Sequence, residues 1–253
     1  MTKYRSGDII IADVVATTCG ENMAIMLLHG SEHIIKKPEL ARGKPTNDYG
    51  RGFYCTLLLE MAKEWACKQN TDGFVNRYLF DDAGLRTLDL LDGKHTVLHW
   101  IALLLKNRIF PINDEIAADA REYILEHFLV DTSQYDVVIG YRADDSYFSY
   151  AQSFVHNALP LRSLGKALML GKLGAQTVLV SEEAFERIQF LGAEAVDKEI
   201  YYPKFIARDD EARRTYREEI KTSQSYRNDI FVMDILRGDI KADDPRIQRI
   251  VLK

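Results

Sequence analysis

Three cysteines, Cys19, Cys55 and Cys67, are all that the 253 residues contain. An odd count without Cys-x-x-Cys spacing supports neither a disulfide framework nor a structural zinc site. Reduced thiols in a cytosolic protein are the plain expectation. The six prolines are scattered, and no repeat or low-complexity segment is present. No window approaches the roughly 18 to 20 apolar residues that a membrane-spanning helix needs. At the start, MTKYRSGDIIIADVVATT, only Ile9 to Ala12 lie between Asp8 and Asp13. That stretch is too short for the apolar region of a signal peptide, so a cytoplasmic location and no membrane partner are expected. A cationic excess is also missing: 33 Lys and Arg stand against 38 Asp and Glu, a formal net charge of −5. The balance argues against a surface that holds nucleic acid by neutralising many phosphates.

What is present is an ordinary globular composition, 47% hydrophobic and 28% charged. The length supports one large domain, or one domain with a helical extension. Short apolar or alternating runs bounded by Gly, Asp or Ser predict strands over 24–29, 74–80, 85–90, 135–141 and 176–181. Helical periodicity predicts helices over 57–69, 97–107, 114–128, 146–157 and 161–171. The second of these is apolar on most sides and should be buried; the third should start from a cap at Asn113. After Tyr202 the composition shifts to a densely charged stretch, ARDDEARRTYREEIKTS. Its acidic and basic residues at three- and four-residue spacings predict a solvated helix. An apolar segment able to dock follows, DIFVMDIL. Strands and helices do not alternate strictly, so the expected class is α+β. Residues 1–22 form an N-terminal segment, 23–202 the main domain and 203–253 a charged helical C-terminal extension. The long loop from Ser31 to Gly52, rich in Gly, Pro, Asn and Asp, is of the kind that tends to carry function.

Three segments carry the chemistry: LLHGSEHI (27–34), NDYGRGFYCT (47–56) and GAQTVLVS (174–181). His29 ends an apolar strand, and Gly30 after it exposes backbone polar groups without a side chain in the way. Tyr54 follows a Gly-x-Gly turn, and Trp65 comes eleven residues later; two such rings can sandwich a flat heterocycle. Each feature alone has a plainer reading. A strand-end His is usually a satisfied structural residue, Gly50 and Gly52 turn residues, and Tyr54 and Trp65 core aromatics. The Gly-x-Gly is not a dinucleotide fingerprint, since no strand precedes it and no helix opens on it.

Together, His-Gly-Ser and Gly-Arg-Gly-Phe-Tyr-Cys-Thr resemble the NAD site of the ADP-ribosyltransferase superfamily, in its diphtheria-toxin and poly(ADP-ribose) polymerase branch. The signature of that branch is His, Tyr and Glu on three separate strands. Its second block reads Gly-Lys-Gly-Ile-Tyr-Phe, with an aromatic eleven residues after the Tyr, where Trp65 falls. The stretch from Leu27 to about Tyr202 is also similar to a bacterial family of unknown function. Its members carry His-Gly-Ser, Asn-Asp-Tyr-Gly-x-Gly-Phe-Tyr-Cys-Thr, Gly-Tyr-Arg-Ala-Asp-Asp-Ser-Tyr-Phe and Gly-Lys-Leu-Gly-x-Gln.

The superfamily resemblance implies a split β core with surrounding helices, and NAD as substrate. It places His29 on the ribose hydroxyls, Gly30 on the nicotinamide carboxamide with Ser31 adding a hydroxyl, and Tyr54 and Trp65 on either side of the nicotinamide. Gln176 takes the place of the Glu. An amide accepts a hydrogen bond but cannot act as a base, so single ADP-ribose transfer is expected rather than chain building. A pocket that only senses NAD or ADP-ribose and an NAD glycohydrolase are the alternatives. Asp144 or Asp145, beside Arg142, would supply the missing negative charge or contact the acceptor, or Asp145 caps the next helix. Arg51 faces a phosphate or is a solvated loop residue. Glu182 and Glu183 should begin a helix. His33, His95, His99, His127 and His156 show no metal-ligand spacing. The implied setting is an intracellular toxin, with a macromolecular acceptor and an antitoxin or regulatory protein as partners.

Overall fold

Period-two alternation builds the core. The computed structural model describes residues 24–170, 174–222 and 229–250. Seven strands are found among them: β1 Ile25–Ser31, β2 Phe53–Thr56, β3 Gly73–Phe80, β4 Thr87–Asp89, β5 Val137–Tyr141, β6 Ala175–Leu179 and β7 Ile188–Val196. They form one sheet in the order β4-β5-β6-β2-β1-β3-β7. β4 and β5 run parallel and every other pair is antiparallel. The helices are α1 Leu59–Ala66, α2 Val97–Asn107, α3 Glu115–Phe128, α4 Asp145–Val155, α5 Leu161–Leu170, α6 Glu182–Glu186, α7 Lys198–Thr222, α8 Val232–Leu236 and α9 Pro245–Gln248. The class is therefore α+β, as the sequence predicts.

Neighbouring residues on a strand serve opposite faces. Leu27, Phe53, Tyr78, Val137 and Leu179 share one apolar cluster with Ala184 of α6. Val138 and Val178, one position away, join the larger cluster that gathers α2 to α5 and the C-terminal segment. Leu28 and Val75 pack instead with Ala62 and Ala66 of α1. α2 begins and ends where its pattern predicts, and eight of its eleven residues are buried. The charged helix forms as α7 with internal pairs Arg213–Asp209 and Arg214–Glu211; it starts at Lys198 and runs without a break through residue 202. The apolar segment after it docks on the body. Ile230, Val232 and Ile235 are buried, the Ile230 carbonyl accepts from the Leu161 N–H, and Asp229 pairs with Arg162.

Several expectations need correction. α3 is capped not by Asn113 but by Asp114, whose Oδ1 accepts from the Ala117 N–H while His156 holds its Oδ2. The residue preceding α4 is Asp144 rather than Asp145, and its side chain makes no capping bond because two arginines hold it. Glu182 and Glu183 do open α6, behind a Ser181 cap. Periodicity alone assigns no strand to 53–56, which is only four residues long, or to 188–196. In the latter the two faces do alternate, but apolar Leu191, left without a partner by a bulge opposite Arg77 and Tyr78, is exposed and Glu194 is half-buried, so the residue types do not follow the alternation that would announce a strand.

The meeting of β1 and α1 depends on Gly30. A Cβ built there would lie 2.0 Å from the Ala62 carbonyl oxygen and 2.9 Å from the Trp65 Cβ. Gly30→Ala therefore forces α1 off the sheet and is expected to lower stability by about 1–3 kcal/mol, the usual cost of overpacking. Urea denaturation measures this; an unchanged midpoint would show that α1 is not seated there.

Candidate functional site

β1 and β2 pair at Leu28 and Thr56, and beyond that point the His29 side chain stands between them. Its Nδ1 lies 2.7 Å from the Tyr54 carbonyl oxygen. A carbonyl only accepts, so Nδ1 carries the proton and Nε2 of the neutral ring is left as an acceptor. Burial lowers the His29 pKa below its ordinary 6.5 against the opposing effect of that bond, which keeps the ring neutral. Phe53 backs it, with ring centroids 4.4 Å apart and planes 30° from parallel.

A cleft of about 1100 Å³ opens at this gap. His29 and Gly30 of β1, Tyr54 of β2 and Gln176 of β6 line it, together with Trp65 of α1. Arg142 and Asp144, between β5 and α4, form another part of the wall, and Phe205, Asp209 and Arg213 of α7 complete it. The rim is the long loop after β1. Asn76, fully buried in β3, ties that loop down: its Oδ1 accepts from the Ile35 N–H, and its Nδ2 donates to the carbonyls of His29 and His33.

Tyr54 spends its hydroxyl on the turn before it, donating to the Gly50 carbonyl at 2.6 Å and accepting from the Tyr49 N–H. Gly50 has φ +77°, a conformation that glycine adopts without strain. Trp65 shares the cleft with Tyr54, and the Arg142 guanidinium covers a face of its indole at 4.3 Å. Asp144 is ion-paired with both Arg142 and Arg208, and Arg208 also reaches Glu64 of α1.

The acid nearest Gln176 is a different one. Asp48, 7% exposed, accepts from the Gln176 Nε2 through Oδ2 at 3.3 Å. The same oxygen accepts from the Ala143 N–H at 2.8 Å, and Oδ1 accepts from Arg108 at 3.0 Å. Burial raises the Asp48 pKa, opposed by the Ala143 N–H, by the positive charges of Arg108 and Arg142, and by Gln176.

His29, Gly30, Tyr54, Trp65, Asp144 and Gln176 are thus brought to one cleft. Ser31 and Arg51 are not among its lining residues: the Ser31 hydroxyl turns to the His33 backbone and Arg51 donates to the Ala41 carbonyl. The Asp145 side chain lies outside the described residues. Sequence reasoning missed Asp48, Phe53 and Asn76. The first two sit inside the quoted NDYGRGFYCT block, where a carboxylate directly before the turn was the available signal. Asn76 is a polar residue in the middle of an otherwise largely apolar strand. Other histidines serve the frame: His99 accepts from the Thr96 N–H at the start of α2, and His156 meets Asp114.

A family model described as a protein of unknown function, DUF3990, matches residues 25–190. The chain belongs to the DUF3990 family. No curated protein and no solved structure matches it. The DUF3990 region holds every cleft residue contributed by β1, β2, α1, β6 and the rim loop, whereas Phe205, Asp209 and Arg213 follow it. Among the described residues no helix is long and apolar enough to cross a membrane.

The neutral state of His29 has a measurable consequence. An unfolded His gains its proton near 6.5, whereas the folded one resists until lower pH. Between those values the unfolded state binds more protons, so the His29 contribution to stability falls as pH drops below 6.5 and levels off below the folded value. Urea denaturation of wild type and His29→Asn across pH 5–8 should show wild type losing stability relative to the variant on the acid side. Parallel curves would mean that folding does not shift the His29 pKa, and a wild type that gained stability on the acid side would mean that the fold holds the ring protonated.

Proposed function

We propose that the cleft binds NAD, breaks its nicotinamide–ribose bond and transfers one ADP-ribose to an acceptor. The observation that carries this reading is the order of the sheet. Gln176, Tyr54 and His29 stand on the adjacent strands β6, β2 and β1, the three-strand arrangement that the ADP-ribosyltransferase resemblance requires, and all three line one cleft. Charge supports it too. Seven Lys and Arg side chains line the cleft against four carboxylates, in a chain whose net charge is −5. That local excess suits a pyrophosphate. The volume lies just above the roughly 300–1,000 Å³ of pockets for drug-sized ligands, which suits a dinucleotide.

On this reading His29 Nε2 accepts from a ribose hydroxyl, and the Tyr54 ring stacks on the nicotinamide with the Trp65 indole closing the site. The glycosidic C–N bond breaks with its electron pair leaving on nicotinamide, which departs neutral. Positive charge builds on the ribose as in glycoside hydrolysis, and the preplaced Gln176 oxygen stabilises it. The acceptor oxygen or nitrogen then bonds to the same carbon and releases its proton to solvent. With water as acceptor the product is free ADP-ribose. Among the described residues both acids nearest Gln176, Asp48 and Asp144, are held by arginines rather than left as free bases, which favours single transfer over chain building. A toxin restrained by an antitoxin is the setting proposed from the resemblance.

Incubation with adenine-labelled NAD and a cell lysate tests the proposal. Nicotinamide release with labelled macromolecules is the expected result; release without labelling makes the protein a glycohydrolase, and binding without release makes it a sensor. His29→Ala and Tyr54→Ala should each lower kcat/KM on the order of 100-fold. Absence of NAD binding in calorimetry would overturn the reading.

A further inference from the structure

Gln176 stands in the three-strand set where the resemblance expects an acid, and its amide can be placed either way round. We infer that Asp48 fixes it with the nitrogen inward and Oε1 facing the cleft, so that Gln176 and Asp48 work as a pair. Asp48 is a positioning residue here. On the NAD reading, on which only the ligand's identity rests, Oε1 is the acceptor for a ribose hydroxyl.

The two ends of a glutamine amide are nearly equal in size, so hydrogen-bond partners decide its orientation. Asp48 is a carboxylate, and an ionised carboxylate only accepts. Arg108 on Oδ1 and the Ala143 N–H on Oδ2 hold it in that form. Its Oδ2 therefore selects the Nε2 end of Gln176, 3.3 Å away. Tyr49 adds to the selection. Its hydroxyl donates to the Tyr141 carbonyl at 2.7 Å, which leaves its oxygen able only to accept and so offers Gln176 no competing donor. The Nε2 end of Gln176 thus has its acceptor in Asp48. Among the described residues no protein donor meets Oε1, while Gln176 lines the cleft. The buried carboxylate has a second effect. Hydrogen bonds in a chain polarise one another, so an anion at the nitrogen end enriches the oxygen end. The pair presents a directed partial negative charge without presenting a base. Asp144, the acid that the sequence points to, has no such link to Gln176, being held by Arg142 and Arg208.

Exchanging the two groups tests the pair. Asp48→Asn removes an acceptor that Gln176 needs, and should lower kcat roughly 10- to 100-fold, as loss of a supporting hydrogen bond does, with KM for NAD changed no more than about threefold. Gln176→Glu sets two carboxylates face to face and should also lose turnover. The double variant Asp48→Asn/Gln176→Glu restores one donor and one acceptor in reverse, and should turn over at least about tenfold faster than either single variant. A double variant no better than Asp48→Asn would overturn the pairing and leave Asp48 as a structural clamp. A second measurement does not involve NAD. In ¹⁵N-labelled free protein, the side-chain amide signals that vanish in Gln176→Glu should exchange with solvent slowly in wild type and quickly in Asp48→Asn. Fast exchange in wild type would overturn the orientation. Slow exchange in a protein that ignores NAD would support the orientation and sink the NAD reading instead.

Discussion

One side-chain hydrogen bond, from His29 Nδ1 to the Tyr54 carbonyl, holds the site together. It stands where β1 and β2 separate, and it does the work of a ladder bond. A buried backbone carbonyl must find a donor, and here the donor is an imidazole rather than the facing strand. The substitution wedges the strands apart while keeping them tied. Phe53 holds the ring from behind, Asn76 holds the carbonyl of His29 itself, and Gly30 lets α1 approach the wedge. The separation that makes room for a ligand is thus enforced by residues within a few positions of the same point.

The charges around the cleft follow a similar rule. Asp48 joins the rim loop to Arg108 after α2 and to the Ala143 backbone. Asp144 joins Arg142 to Arg208 of α7, which continues to Glu64 of α1. Buried ion pairs are weak evidence of stability, because desolvation offsets much of their attraction. Their effect here is geometric. Each fixes the position of one segment against another that is remote in sequence, and both arrangements are completed at the cleft wall.

Local patterns were readable in the sequence and remote pairings were not. α2 follows directly from its continuous apolar stretch, and α7 from its spaced charges. β7 escapes because residue type and face disagree in it: Leu191 is exposed and Glu194 half-buried. The helix starts at Asp114 and Asp144 each sit one residue from expectation, for opposite reasons: the first carboxylate caps its helix, while the second is claimed by arginines. His29, Tyr54 and Gln176 could be named from short motifs. Asp48 could not be matched to Gln176, since 128 residues separate them and nothing in one sequence couples the two. In the sequence the acids that stand out are Asp144 and Asp145, which closely follow Arg142, whereas the acid that reaches Gln176 is Asp48.

α7 places Phe205, Asp209 and Arg213 on the cleft wall, beyond the stretch that defines the family. Two walls of the cavity thus have separate origins in the chain. The strand-borne wall and the rim loop lie within the matched stretch, whereas α7 adds its three residues from beyond it. A substitution at Phe205, Asp209 or Arg213 can therefore reshape one wall of the cleft without altering a residue of the matched stretch, so the outline of the cavity is separable from the strand residues beneath it.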